Sequence, residues 1–151
     1  MTTYTSPFPV DDSFGNWLAG FIAGEGCFRI ASQKQGNWYA PSFHLKLRDD
    51  DKAILDECAR RVGGRVYRMP AYKTSNPGAR WCCQSRADCI ALASVLDNYP
   101  LRNRKAAEYV VWREALDIYG KMERGNRWRG PRDWTPLIEA KREIERLRTY
   151  I

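Results

Sequence analysis

Glu25 stands where a carboxylate is out of place. It ends the stretch Trp17-Leu-Ala-Gly-Phe-Ile-Ala-Gly-Glu25, which reads as helical, and negative charge at a helix C-terminus is disfavoured by about 0.3–1 kcal/mol. Gly20 and Gly24 lie inside the same helix, where each glycine costs about 1 kcal/mol against alanine. The small residues Ala19, Gly20, Ala23 and Gly24, at one- and four-residue spacing, would let two helix backbones approach closely, which gives the glycines a reason. Several local rules broken together point to function. The plainer alternative is a buried helix with Glu25 incidentally exposed at its end.

A second feature is the distribution of positive charge. Between Gly26 and Arg48 the basic residues are Arg29, Lys34, Lys46 and Arg48, without one acid. Between Cys58 and Ala87 there are seven, Arg60, Arg61, Arg65, Arg68, Lys73, Arg80 and Arg86, again without an acid. A surface built from these stretches attracts polyanions, phosphate backbones above all. Other chemistries are disfavoured. The five cysteines, Cys27, Cys58, Cys82, Cys83 and Cys89, form no CxxC pair and His44 is the only histidine, which argues against structural zinc and against histidine-based metal nucleases. No Walker-type glycine loop is present. Free buried thiols fit the cysteines better than disulfides. The absence of a long apolar run and the polar start, Met1 to Asp12, predict a cytoplasmic protein without a membrane segment or signal peptide.

The elements that must position Glu25 follow from periodicity. A first helix is expected from Ser13, as N-cap, to Glu25, closed by Gly26 in the left-handed conformation. Cys27–Lys34 and Tyr39–Arg48 alternate as strands about a turn at Gln35-Gly-Asn37, with Phe28, Ile30, Phe43, Leu45 and Leu47 on one face. Asp49-Asp-Asp51 opens a helix with a stripe of Ile54, Leu55, Cys58, Ala59 and Val62, stopped by Gly63-Gly64; one of the three aspartates is expected to cap it. Arg65–Met69 and Ala79–Ser85 form a second hairpin. Helices over Ala87–Asn98, with Ile90, Leu92, Ala93 and Leu96 inward, and Arg102–Tyr119 complete residues 1–119. The fold class is α+β: a four-stranded antiparallel sheet, helices on its apolar face, the other face open and positive. Residues 120–151, with nine basic and five acidic residues, read as a basic linker and a C-terminal helix carrying Leu137, Ile138, Ile144, Leu147 and Ile151. This tail could pack on the core, swap onto a partner or track DNA backbone, and the sequence does not choose.

The stretch Trp17–Phe28 resembles the LAGLIDADG motif, in its LAGFIDGEG form, and the order αββαββα resembles the fold of that homing-endonuclease family across roughly residues 14–119. The segment Tyr99-Pro-Leu-Arg-Asn-Arg-Lys-Ala-Ala-Glu-Tyr-Val-Val-Trp112 is similar to the family's Pro-Leu-x-x-Lys-Lys segment. The resemblance implies a homodimer joined through Leu18, Ala19, Phe21, Ile22 and Ala23. It implies catalysis by Glu25 and Lys105, and a divalent metal, Mg²⁺ or Mn²⁺, held by Glu25 and Gly24. It further implies a double-strand break in double-stranded DNA at a long, near-palindromic target, as in intron or intein homing. Two departures bear on activity: Ala23 stands where the motif usually has an acid, and Leu47 where several members place a polar residue. The alternative is a non-cleaving binder of the same fold, either an RNA maturase, the one reading with RNA as partner, or a DNA-binding regulator.

Strand alternation assigns Arg29, Gln33, His44, Lys46, Arg48, Tyr67, Arg80 and Gln84 to the DNA-facing side, where a β-ribbon fits the major groove. The loops Gln35–Tyr39 and Tyr72–Asn76 would reach outer base pairs. Arg68 is out of phase with Arg65 and Tyr67.

Overall fold

Helix α1 spans Asp12–Glu25, with Asp11 in extended conformation as its cap: the Asp11 carboxylate accepts from the Phe14 N–H at 2.8 Å. Ser13, expected in that role, lies one residue inside the helix, because the better-placed aspartate satisfies the orphan amide first. A computed structural model describes residues 10–33, 36, 38–124 and 133–149. Lys34, Gln35, Asn37 and Ile151 lie outside the described residues, as do 1–9 and most of the hydrophilic stretch after Arg124.

After α1 come β1 (Gly26–Ser32), β2 (Tyr39–Arg48), a 3-10 turn (Asp49–Asp51), α2 (Lys52–Arg61), β3 (Arg65–Met69), β4 (Gly78–Cys83), α3 (Arg86–Asn98), α4 (Lys105–Arg124) and α5 (Thr135–Arg148). The four strands form one antiparallel sheet in the order β1-β2-β4-β3. This is the α+β architecture the alternation predicts.

The join between α1 and β1 departs from expectation. Gly26 is extended, at φ −75° and ψ 156°, and is already the first residue of β1. Glycine is required there by crowding: a Cβ would lie 2.8 Å from Ile22 Cγ2 and 2.9 Å from Phe43 Cε2. The aspartates are also corrected. They form the 3-10 turn, and α2 starts without a side-chain cap. Of the two apolar stripes, Leu55 and Cys58 in α2 and Leu92, Ala93 and Leu96 in α3 are buried, whereas Ile54 and Ile90 remain exposed. Cys89 takes the inward position on α3 instead of Ile90.

One sheet face carries the core. Phe28, Ile30, Phe43, Leu45, Ala79, Trp81 and Cys83 are buried beneath Leu18 and Ile22 of α1, Leu92 and Leu96 of α3, and Trp112 and Leu116 of α4. Two indoles are anchored by hydrogen bonds: Trp81 Nε1 donates to the Gly63 carbonyl at 2.8 Å and Trp112 Nε1 to the Ser42 carbonyl at 2.9 Å. Both carbonyls are thereby satisfied inside an apolar layer. Helix α4 begins at Lys105, later than periodicity suggests, and runs on to Arg124.

Helix α5 packs on α4 and beside the edge strand β1, with Leu137 and Ile144 buried in the same core. Of the three placements open to the tail, this is the one observed. Arg148, at the end of α5, pairs with the buried carboxylate of Glu108 and also donates to the Phe28 carbonyl.

Candidate active site and nucleic-acid interface

Glu25 and Gly24 are exposed in the last turn of α1. Helix ends leave carbonyls without intrahelical partners, and two side chains from the segment before and at the start of α4 take up those of α1. Asn103 Nδ2 donates to the Ala23 carbonyl at 2.9 Å. Lys105 Nζ donates to the Gly26 carbonyl at 2.5 Å and to the Ile22 carbonyl at 3.3 Å. The structure thus brings Lys105 to the residue next to Glu25, across 79 positions of sequence. A cation is also favoured at that end of the helix by its dipole. Burial lowers the Lys105 pKa below the ordinary lysine value, while the negative charge of Glu108 acts in the opposite direction.

Asn103 was not singled out by sequence. Its Oδ1 accepts from the Lys105 N–H at 3.1 Å, so one amide caps the start of α4 and ties down the end of α1. The sequence reading started the helix at Arg102 and so placed Asn103 inside it, which hid an asparagine that lies two residues before the observed start, Lys105.

Glu25 itself has no hydrogen-bond or ion-pair partner among the described residues. No three His, Cys, Asp or Glu side chains among them converge on a metal position. What one chain offers is a free carboxylate with a backbone carbonyl beside it, in Gly24. Hard oxygen donors of this kind suit Mg²⁺ or Mn²⁺, and more of them are needed than one chain supplies here.

The expected dimer contacts are partly corrected. Leu18 and Ile22 have no exposed surface, and Ala19 only 6%; all three face this chain's own core. The face of α1 left to solvent consists of Ser13, Asn16, Trp17, Gly20 and Gly24, with Phe21 and Ala23 half-buried. Trp17 stacks on Phe21 with ring centroids 5.0 Å apart. A Cβ at Gly20 or Gly24 would meet nothing within 4 Å among the described residues, so no neighbour among them calls for glycine there.

The residues expected to face DNA do share one sheet face. The register sets His44 between Cys27 and Cys82, Arg29 opposite Ser42, and Lys46, Arg80 and Tyr67 in one row. Arg65, opposite Cys82, joins this face, while Arg68 lies on the other side, as its phase predicts. Gln33 and Gln84 are exposed just beyond β1 and β4. Arg48 makes a 3.0 Å pair with Asp50 between two largely exposed groups, which holds it weakly. Arg80 Nε is buried without a hydrogen-bond partner among the described residues. Of the expected contact loops, Tyr72 is exposed, bridges to Ser75 and lies under Lys73.

His44 reports the field of this face. Burial, and then the charges of Arg29, Arg80, Arg148 and Lys46, hold its pKa below the ordinary histidine value. The unfolded chain therefore binds a proton that the folded chain refuses. The corresponding stability is complete above about pH 6.5, the unfolded value, and is lost as pH falls through the depressed folded value. Thermal unfolding of the DNA-free protein should show a drop in Tm on acidification from pH 7.5 to 5.5, and a smaller drop in His44→Gln. Equal drops would mean that other groups account for the acid sensitivity.

All five cysteines are free, and burial raises the thiol pKa values of Cys58 and Cys89 to about 12. Cys58, Cys82, Cys83 and Cys89 are buried packing thiols, whereas Cys27 is half-buried.

The profile of the family described as LAGLIDADG endonuclease matches residues 18–116. The chain belongs to that family. Among curated proteins it is 28% identical over 119 residues to the probable intron-encoded endonuclease Cox1-I1b of Schizosaccharomyces pombe, an alignment covering 76% of this chain and 30% of the relative. The chain thus spans about a third of the length of that curated relative. Among solved structures, the LAGLIDADG meganuclease I-AabMI bound to uncleaved DNA superposes with a TM-score of 0.62 at 25% identity, over 72% of this chain and 38% of that one. The archaeal intron-encoded homing endonuclease I-Vdi141I, complexed with DNA, gives a TM-score of 0.71 at 16% identity over 92% and 87%. The homing endonuclease I-TnaI gives 0.64 at 20% over 88% and 94%. The latter two support the fold alone. No helix among the described residues is long and apolar enough to cross a membrane.

Proposed function

We propose that this LAGLIDADG protein is a sequence-specific, divalent-metal-dependent endonuclease that makes double-strand breaks in DNA as a homodimer. The observation that carries the reading is the junction of α1 with α4: Glu25, without a partner among the described residues, stands one residue from a carbonyl that holds Lys105. A carboxylate without a partner among the described residues at a helix end, one residue from the carbonyl that holds a half-buried ammonium, is a poor device for stability and a good one for phosphate chemistry.

In hydrolysis a water oxygen bonds to phosphorus, one ester P–O bond breaks, and the water proton ends on the departing alcohol. The Glu25 carboxylate and the Gly24 carbonyl would hold Mg²⁺ or Mn²⁺, together with the same groups of a second copy. When bound, the metal supplies polarisation of a phosphoryl oxygen and a more acidic water. The Lys105 ammonium would offset charge growing on the phosphate. Arg29, Gln33, His44, Lys46, Arg48, Tyr67, Arg80 and Gln84 would line the DNA, some reading base edges and the rest binding phosphates.

Dimerisation would use Trp17, Gly20, Phe21, Ala23 and Gly24, since Leu18 and Ile22 are spent on the core. Sedimentation of the wild-type chain should give twice the 17.5 kDa mass. Gly20→Leu, at an exposed position where an added Cβ meets nothing within 4 Å among the described residues, should give a folded monomer that no longer cuts both strands. A folded Gly20→Leu dimer with full cleavage would remove this face from the reading.

The activity test uses a duplex made by joining the DNA that flanks the gene, incubated with protein and Mg²⁺ or with EDTA. Site-specific double-strand cleavage that EDTA stops is the expected result. Tight binding without cleavage in either Mg²⁺ or Mn²⁺ would favour a regulator or maturase of the same fold, with Ala23 and Leu47 the first residues to restore.

A further inference from the structure

We propose that Arg148, on the C-terminal helix α5, is a positioning residue for Lys105, acting through the buried carboxylate of Glu108 and the backbone of β1. The inference rests on the reading of Lys105 as an active-site lysine.

Glu108 lies one helical turn after Lys105 and is only 2% exposed. A carboxylate so buried must be paired. Arg148 Nε is 2.5 Å from Glu108 Oε1, whereas Arg104, the other cation at hand, is 3.8 Å away with a largely exposed side chain. Arg148 therefore provides most of the neutralisation. Its second nitrogen donates to the Phe28 carbonyl, two residues along β1 from the Gly26 carbonyl that holds Lys105 Nζ. The contacts close a ring: Lys105 to Gly26, along β1 to Phe28, to Arg148, to Glu108, and back one turn of α4 to Lys105.

Without Arg148, Glu108 would be a buried anion left with only the 3.8 Å pair to the largely exposed Arg104, and Lys105, whose charge already feels Glu108, would be the half-buried cation within one helical turn of it. The ammonium would be drawn from the end of α1 towards Glu108, away from the residue beside Glu25. Arg148 satisfies Glu108 and so leaves Lys105 to the Ile22 and Gly26 carbonyls. Attachment of α5 does not depend on this pair, because Leu137 and Ile144 are anchored in the core. The region matching the family profile ends at residue 116, so the helix supplying Arg148 lies beyond it.

The test separates positioning from mere support. In lysine-labelled protein, the hydrogen-bonded Lys105 ammonium should give an NMR signal, identified by its absence in Lys105→Met. Arg148→Met should shift or abolish that signal, and the double variant Glu108→Gln/Arg148→Met should restore it, since no carboxylate remains to attract the lysine. Where Arg148→Met does not fold, Arg148→Lys, which keeps the charge but cannot fork between Glu108 and Phe28, should shift the signal instead. Single-turnover cleavage of the joined-flank duplex should follow the same order, with Arg148→Met slower by up to about a hundredfold. An unchanged Lys105 signal in the folded Arg148 variants would overturn the proposal, and so would a double variant no better than Arg148→Met. If the signals follow the expected order while even the wild type leaves DNA uncut under Mg²⁺ and Mn²⁺, the positioning stands and the nuclease reading falls.

Discussion

Glu25→Gln should leave a folded protein that binds DNA with nearly unchanged affinity and cleaves at least a thousandfold more slowly. The expectation follows from what Glu25 does not do. It is exposed and makes no hydrogen bond or ion pair within the described chain, so its removal costs the fold little: exposed substitutions generally stay within about 0.5 kcal/mol. Its charge even opposes the dipole of its own helix, and Tm should hold or rise slightly. A carboxylate that ligates metal at the scissile phosphate contributes several kcal/mol to transition-state stabilisation through that metal, and 4 kcal/mol is roughly a thousandfold in rate. Single-turnover cleavage, DNA affinity in Ca²⁺ and thermal unfolding, measured on the same preparation, separate these terms. Parallel loss of Tm and cleavage would make Glu25 structural, contrary to its lack of partners. Normal cleavage would remove it from the site altogether.

Trp112→Ala should unfold the protein at ordinary temperatures. Trp112 has no exposed surface and packs against Phe28 and Tyr109, with centroids at 5.2 and 6.0 Å. Truncating a buried tryptophan costs about 3–5 kcal/mol. The change also strands the Ser42 carbonyl, which accepts the indole N–H at 2.9 Å, for a further ~1–3 kcal/mol. Domains of this kind are stable by only about 5–15 kcal/mol, so the sum, about 4–8 kcal/mol, removes much of that stability and exceeds it at the low end of the range. Trp112→Phe keeps most of the apolar volume but loses the donor, and should fold with a clearly lowered Tm. Circular dichroism melts of both variants give the check; a Trp112→Ala protein melting close to wild type would mean that the layer between sheet and α4 repacks far more freely than its contacts suggest.

How much was legible depended on the range of the interaction. Strand periodicity is local, so the open positive face and the phase of Arg68 against Arg65 and Tyr67 could be read directly. The α1 motif was equally plain, because Gly20, Gly24 and Glu25 break helix preferences within a few residues. Which side of α1 faces inward was not plain. Leu18 and Ile22 are apolar enough for either a core or a dimer contact, and only the sheet beneath them decides. Caps failed by small margins: Asp11 and Ser13 are both good candidates, two residues apart. The clasp around Lys105 was the least legible part. Asn103 reaches Ala23 over 80 residues and Arg148 reaches Glu108 over 40, and no sequence spacing encodes such pairs.

The direct passage from Glu25 into Gly26 leaves no hinge between helix and strand. Arg29, four residues beyond Glu25 on the open face, is about 13 Å away at roughly 3.3 Å per extended residue, joined by backbone already paired to β2. A tilt of the sheet against a poorly matched groove cannot be absorbed locally; it arrives at the carboxylate as a displacement. If Glu25 and the open face act as proposed, fidelity would be partly mechanical: the protein would grip a wrong sequence through the DNA phosphates and still fail to bring its cutting groups into line, so discrimination between targets should be sharper in cleavage than in binding.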